Sequence, residues 1–170
     1  SQLYNRSTFE RELKSEIERS AHAKVAVLFI DVDDFKFIND RFGHSVGDEV
    51  IKYVAGCIKQ RVKGSGFAGR FGGDEFVLCI TDAKQIEEIE SLSLDLIDEL
   101  YEGYHSELAN VSINVKASIG IAFFPEHGDD SNKIVAAADE AMYFVKKNGK
   151  ANYHIYQPED SQIEDLQHTL

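Results

Sequence analysis

The chain has 170 residues, of which 43% are apolar and 11% aromatic, and it carries a formal net charge of −12. That length and composition fit one globular domain with a sizeable core. The acidic balance argues against general binding to nucleic acid or to an anionic membrane, both of which require a cationic field. It still admits a polyphosphate ligand, provided a divalent cation and a few lysines supply local positive charge. No apolar run reaches membrane-spanning length and no signal-peptide pattern is seen, so the expectation is a cytoplasmic domain without membrane contact. Cys57 and Cys79 lie in apolar periodic segments. They read as small buried hydrophobes, since neither a disulfide framework nor zinc-ligand spacing accompanies them.

Residues 3–20 read as a helix, with Leu3, Phe9, Leu13 and Ile17 recurring at near-helical spacing. The continuous apolar run Val25-Ala26-Val27-Leu28-Phe29-Ile30 reads as a central strand buried on both faces. It runs into Asp31-Val32-Asp33-Asp34, acids for which no packing role is expected. A short helix over 34–42 and a longer one over 45–62 follow, the latter with Val46, Val50, Ile51, Val54, Ile58 and Val62 along one side. Gly64-Ser65-Gly66 breaks the chain. Gly72-Gly73 then predicts a tight hairpin, because glycines adopt positive φ without a clash, and Phe76, Leu78 and Ile80 alternate like the buried face of a strand. Residues 83–105 predict one long amphipathic helix with an acidic outer face. A strand over 115–124, a loop over 125–130, a helix over 131–147 stopped by Asn148-Gly149, and a last strand over 153–156 complete the pattern. Helices and hairpins interleave around a single sheet.

Asp31 and Asp33, two apart on a strand, point to one face, whereas the adjacent Asp74 and Glu75 diverge. A fold that sets the end of the first strand beside the Gly-Gly turn would gather Asp31 and Asp74. Two bare carboxylates about 4 Å apart repel by roughly 4 kcal/mol at an effective dielectric of about 20. A magnesium ion would convert that penalty into coordination. Lys36 follows a strand-to-helix turn whose unpaired N–H groups suit phosphate. Asn39 and Asp48 offer a carboxamide and a carboxylate, a pair suited to guanine, which donates from N1–H and its exocyclic amine. Asp48 also has a structural reading, because Ser45-x-x-Asp48 resembles a capping box. His44 alone reads as a turn or packing residue. Lys146 and Lys150 flank the helix stop, where they suit either phosphate or the helix dipole.

The string Arg70-Phe71-Gly72-Gly73-Asp74-Glu75-Phe76 resembles the signature of the GGDEF domains, the bacterial diguanylate cyclases. The resemblance extends over nearly the whole chain. It takes in Leu3-Tyr4-Asn5-Arg6, the stretch from Phe29 to Glu49, Ala117-Ser118-Ile119-Gly120-Ile121-Ala122, and Ala138-Asp139-Glu140-Ala141-Met142-Tyr143 with Lys146 and Gly149. It implies an α/β (α+β) fold, with a central, mostly antiparallel five-stranded sheet wrapped by helices as in nucleotidyl cyclases and polymerase palm domains. The domain would span 1–157, with 158–170 a polar tail or linker.

The implied reaction is the condensation of two GTP into cyclic di-GMP and two pyrophosphates. By the same resemblance Asp31, the Val32 carbonyl and Asp74 hold magnesium, with manganese as a substitute. Asp74 or Glu75 helps deprotonate the 3′-hydroxyl, and Lys36 stabilises phosphate charge with help from Lys146. Asn39 and Asp48 read guanine; His44, Phe35 and Lys150 lie on the substrate side. One site holds one GTP while the product joins two, so a homodimer is expected to be the catalytic unit. An upstream sensory domain is expected outside this chain, which leaves a membrane anchor in the parent protein open.

Three departures from the family pattern stand out. Lys63 and Gly66 occupy the positions of an arginine and an aspartate that bind inhibitory product, so no inhibition through that site is expected. Lys150 stands where the family has arginine, keeping charge but losing the bidentate fork. Ser1-Gln2 replace the end of a turn that helps wall the base pocket, so low activity is expected of the excised domain. The alternative function is a catalytically silent module that binds GTP or mediates dimerisation. A cyclase for another purine pair is disfavoured by Asp48, whose carboxylate repels the acceptor-rich edge of adenine.

Overall fold

The structure, a computed structural model, describes residues 3–19 and 24–161. Its elements run α1 (Arg6–Arg19), β1 (Val25–Val32), α2 (Phe35–Phe42), α3 (His44–Val62), β2 (Gly66–Arg70), β3 (Glu75–Ile80), α4 (Ile86–Glu102), β4 (Tyr104–Ser106), β5 (Val111–Ile113), β6 (Ala117–Phe124), α5 (Ser131–Lys147) and β7 (Tyr153–Ile155). Five strands form one sheet in the order β2-β3-β1-β6-β7, antiparallel except for the β6–β7 pair. The expected mixed fold with a mostly antiparallel five-stranded sheet is therefore the fold observed.

Strand β1 is central because both of its faces are apolar. Ala26, Leu28, Ile30 and Val32 point to the side covered by α2, α3 and α4, where Val50, Val54, Ile58, Leu96 and Leu100 are buried. Val25, Val27 and Phe29 point to the opposite side, against Phe9 and Leu13 of α1 and Ile134 and Met142 of α5. Asp31 continues the second series, so the strand's alternation carries its carboxylate to the α5 side. Both cysteines are buried, as expected, and burial pushes both thiols up, that of Cys57 to about 12. No helix among the described residues is long and apolar enough to cross a membrane.

Four local expectations need correction. The helix expected over 83–105 ends at Glu102; Gly103, at φ 103°, breaks it, and β4 and β5 pair as a small separate hairpin. The hairpin at Gly72-Gly73 forms, but neither glycine takes a positive φ. A side chain at Gly72 would instead put its Cβ 2.6 Å from Glu75 Oε1, so glycine there makes room for that carboxylate. Helix α3 starts at His44 with Gly43 as its cap and no side-chain capping bond, so Ser45 and Asp48 form no capping box. The strand-end acids do have packing roles in part: Asp33 is buried, and Asp34 pairs with Lys150.

Residues 158–161, in the stretch read as tail, form a helical turn. Its Asp160 is buried and lies 3.0 Å from His154 Nε2. Residue 20 of the expected first helix and residues 162–170 lie outside the described residues.

Candidate active site

The site forms where β1 ends against the β2–β3 turn. Asp31 faces Glu75 across the β1–β3 ladder, and beyond that pair the Val32 N–H donates to the Asp74 carbonyl at 3.0 Å. The turn is pinned from its other side by Arg70, whose guanidinium donates to the carbonyls of Gly72 at 3.0 Å and Gly73 at 2.7 Å. The Phe71 N–H donates to the Glu75 carbonyl at 2.8 Å. These bonds hold Asp74 on a rigid turn beside a strand end whose own direction is fixed by core packing.

The acids so gathered are electrostatically uncomfortable. Burial pushes the Asp31 carboxyl up to about 7; Lys146 opposes the shift, while Asp74, close enough to share a hydrogen bond, and Glu75 add to it. Asp31 Oδ1 is buried with no hydrogen-bond partner. An orphaned carboxylate oxygen beside a second carboxylate is a poor structural feature and a good half-site for a hard cation. Among the described residues no three or more His, Cys, Asp or Glu side chains gather to cage a metal. The candidate set is two carboxylates and the Val32 carbonyl. Magnesium fits such an incomplete set, because it keeps positions for water and for substrate phosphate oxygens.

Cationic groups approach from the C-terminal end of α5. Lys146 Nζ lies 2.5 Å from Asp33 Oδ1 and 3.5 Å from Asp31 Oδ2. Breaking a buried pair of this kind by removing one partner typically costs about 3–5 kcal/mol. Lys150 Nζ lies 2.8 Å from Asp34 Oδ1, and this contact pulls the exposed Asp34 carboxyl below its usual range.

A second group of expected residues meets at the start of α3. A Cβ on Gly47 would fall 1.8 Å from Asn39 Oδ1 and 3.3 Å from Phe35 Cζ, so Phe35 and Asn39 of α2 pack directly on the turn that carries Asp48. Asp48 is exposed there. Further along α3, Ile51, Lys52 and Ala55 join Leu3 and Asn5 around a cavity of about 620 Å³. Lys36 on α2 and His44 at the first residue of α3 are exposed and reach neither cluster through a hydrogen bond. A groove of about 380 Å³ opens on the α5 side of Glu75, bordered by Arg6, Glu10, Phe71, Asn132 and Asp139.

Sequence reasoning missed Asp33, Ser118 and the cavity-lining Ile51. Asp33 was one acid among three, and only the fold reveals which of them is buried. Ile51 was read as core alone, although its position one helical turn beyond Asp48 was a usable signal.

The chain matches the family described as "Diguanylate cyclase, GGDEF domain" over residues 1–152. It is 35% identical over 160 residues to the diguanylate cyclase DosC of Escherichia coli K12, an alignment covering 91% of this chain and 34% of DosC. It is 31% identical over 160 residues to the cyclic di-GMP phosphodiesterase PdeR of the same organism, covering 94% of this chain and 24% of PdeR. The chain thus spans about a third or less of these relatives. Among solved structures, the GGDEF domain of TpbB (YfiN) from Pseudomonas aeruginosa superposes with a TM-score of 0.91 at 30% identity, covering 96% of this chain and 95% of that one. With the hairpin, the strand-end acids and the helix-borne lysines all in the expected order, this chain belongs to the GGDEF family of diguanylate cyclase domains.

Proposed function

We propose that the domain is itself a magnesium-dependent diguanylate cyclase working as a homodimer; the orphaned Asp31 Oδ1 beside Asp74 is the observation that carries this reading. Asp31, the Val32 carbonyl and Asp74 would hold magnesium or manganese, which when bound supplies positive charge to the triphosphate and lowers the pKa of the attacking hydroxyl. Asn39 and Asp48 bind the guanine edge, with Phe35 packed beside them and His44 at the rim. Lys36, Lys146 and Lys150 bind phosphate oxygens, and an ammonium there offsets charge on the departing pyrophosphate.

In each of two steps, a 3′-oxygen forms a bond to the α-phosphorus of the other GTP. The bond from that phosphorus to the bridging oxygen breaks, and pyrophosphate leaves. The hydroxyl proton passes to Asp74 or to Glu75 beside it. Glu75 borders the open groove on the α5 side, which gives a second copy, carrying its own GTP, a face to approach. The relatives are longer than this chain, and we place control of that approach in a sensory segment upstream.

The test is incubation of the protein at high concentration with GTP and magnesium, with ATP present as competitor. Cyclic di-GMP and pyrophosphate are the expected products, and Asp74→Ala should abolish them without changing the circular dichroism spectrum. A full-length, dimeric protein that forms no product overturns the reading. GTP binding without turnover would then favour a silent binding or dimerisation module. The engagement of Lys150 by Asp34 and the kinship with PdeR lean toward that second reading.

A further inference from the structure

Neither Asp33 nor Asp34 takes part in the reaction above, and of the two only Asp33 is buried. Its side chain is wholly buried, yet its carboxylate is saturated. Oδ1 accepts from the Ser118 hydroxyl at 2.7 Å and from Lys146 Nζ at 2.5 Å. Oδ2 accepts from the Ala151 N–H at 2.9 Å. The Asp33 N–H donates to the Lys116 carbonyl at 2.8 Å. One carboxylate therefore ties β6, the end of α5 and the turn after it to the end of β1.

That turn is strained. Lys150 at φ 63° and Ala151 at φ 51° are consecutive non-glycine residues in the left-handed region, a conformation that surrounding contacts must enforce. The bond from Ala151 to Asp33 is such a contact. Lys146 is restrained by the same group. One of its three N–H bonds is spent on Asp33 and another is directed towards Asp31, while its side chain stays 19% exposed. The remaining donor is left for a ligand on the open side. A free lysine would lose much rotamer freedom on meeting a phosphate; here that loss has already occurred on folding.

We propose that Asp33 is a positioning residue that holds Lys146 and the 150–151 turn ready for the nucleotide's phosphates, and so sets affinity for the triphosphate and not for the guanine base. The inference rests on the diguanylate cyclase reading. Asparagine cannot substitute. Three donors converge on two carboxylate oxygens, and an amide would present its own NH₂ to one of them.

The experiment is calorimetric titration of the folded chain, with magnesium, using guanosine, GMP and a GTP analogue carrying a methylene bridge between the α- and β-phosphates. Asp33→Asn should weaken the triphosphate analogue roughly tenfold and leave guanosine within about twofold, the scale expected for freeing one long side chain. In a Lys146→Met background the same substitution should cost the analogue clearly less than in the wild type, the remainder being the share of the 150–151 turn that Asp33 also holds. If Asp33→Asn does not fold, Ser118→Ala removes one bond to Oδ1 and should give a smaller loss with the same selectivity for phosphate. Unchanged analogue affinity, or an equal loss for guanosine, overturns the positioning role alone. A wild-type protein that binds no guanine nucleotide overturns the functional reading along with it.

Discussion

Val32 donates its N–H to the carbonyl of Asp74 across 3.0 Å, at the point where the β1–β3 ladder gives way to the turn. Backbone geometry thus sets the proximity of the two candidate metal-binding carboxylates, and their mutual repulsion is overcome by the packing of β1 and β3. The same bond ties Val32, the residue directly after Asp31 and the last of β1, to the backbone of Asp74. Stability has been traded locally for a site, and that trade has measurable consequences.

The first concerns pH. Asp31 has its carboxyl raised from 3.8 to about 7, by burial first and by Asp74 and Glu75 in addition, against the pull of Lys146. Between those two values the folded protein binds more protons than the unfolded chain, so this group makes stability fall as pH rises, with the effect complete above about 7. In metal-free protein the melting temperature should therefore decline between about pH 5 and pH 8 more steeply than in Asp31→Asn. Magnesium should raise it more at the upper end than at the lower. Asp74→Asn, which removes one repelling charge, should stabilise the metal-free protein at the upper end. Differential scanning calorimetry with and without chelator checks all three, and equal pH slopes of the melting temperature in metal-free wild type and Asp31→Asn would refute the shift.

Gly47 offers a separation of function from stability. A methyl group there would collide with Asn39 Oδ1, the far end of a side chain that can rotate away, so the fold should absorb the change. Gly47→Ala is expected to cost no more than about 1 kcal/mol of stability, alanine's better helix propensity offsetting part of the crowding. Guanine nucleotide affinity should drop roughly tenfold, the scale of one lost hydrogen-bonding group. Asn39→Ala should reproduce the loss, and the double variant should add little to it. Equal weakening of GTP and of inorganic triphosphate would place the defect elsewhere.

The two thiols should behave as core atoms. Cys79 is fully buried, Cys57 nearly so, and burial pushes both away from the reactive thiolate. An alkylating reagent at about pH 8 should label neither until the protein is unfolded by denaturant. Mass spectrometry of the labelled protein would show this directly; fast labelling of the native fold would mean that one of the helices opens readily.

How much of this was legible in the sequence depended on how local the signal was. The order of β1, the Gly-Gly hairpin and α5 could be read directly, because each is a long periodic run with a clear stop. So could the pairing of Asp31 with Asp74, since buried strands leading into acids leave few other purposes for them. The β4–β5 hairpin was not legible: Leu96, Leu100 and Tyr104 continue a helical spacing straight through Gly103, and three-residue strands have too little pattern to compete. Asp33 and Asp34 are adjacent and chemically identical, yet one is buried and one exposed. Only the arrival of Ser118, Lys146 and Ala151 from 85 or more residues away distinguishes them. The missing capping box at Ser45 shows the reverse case, a local pattern overridden because the helix already begins at His44, with Gly43 in the cap position that Ser45 was expected to fill.

Product control provides the last prediction. The chain has Lys63 and Gly66 where the family carries an arginine and an aspartate that bind inhibitory product, and the structure explains why the second change is not easily reversed. A Cβ at Gly66 would lie 1.8 Å from the Cys79 carbonyl oxygen, a backbone atom in the paired strand that cannot swing aside. Turnover should stay flat as cyclic di-GMP accumulates to micromolar levels, since the cation at Lys63 lacks its carboxylate neighbour. Gly66→Asp should not restore inhibition in a normally stable protein; forcing β2 away from β3 should cost about 1–3 kcal/mol, lowering the melting temperature by several degrees. Strong inhibition of the unaltered protein that Lys63→Ala abolishes would show that product is held there without the carboxylate. A stable, product-inhibited Gly66→Asp variant would show that β2 has more room than its register with β3 implies.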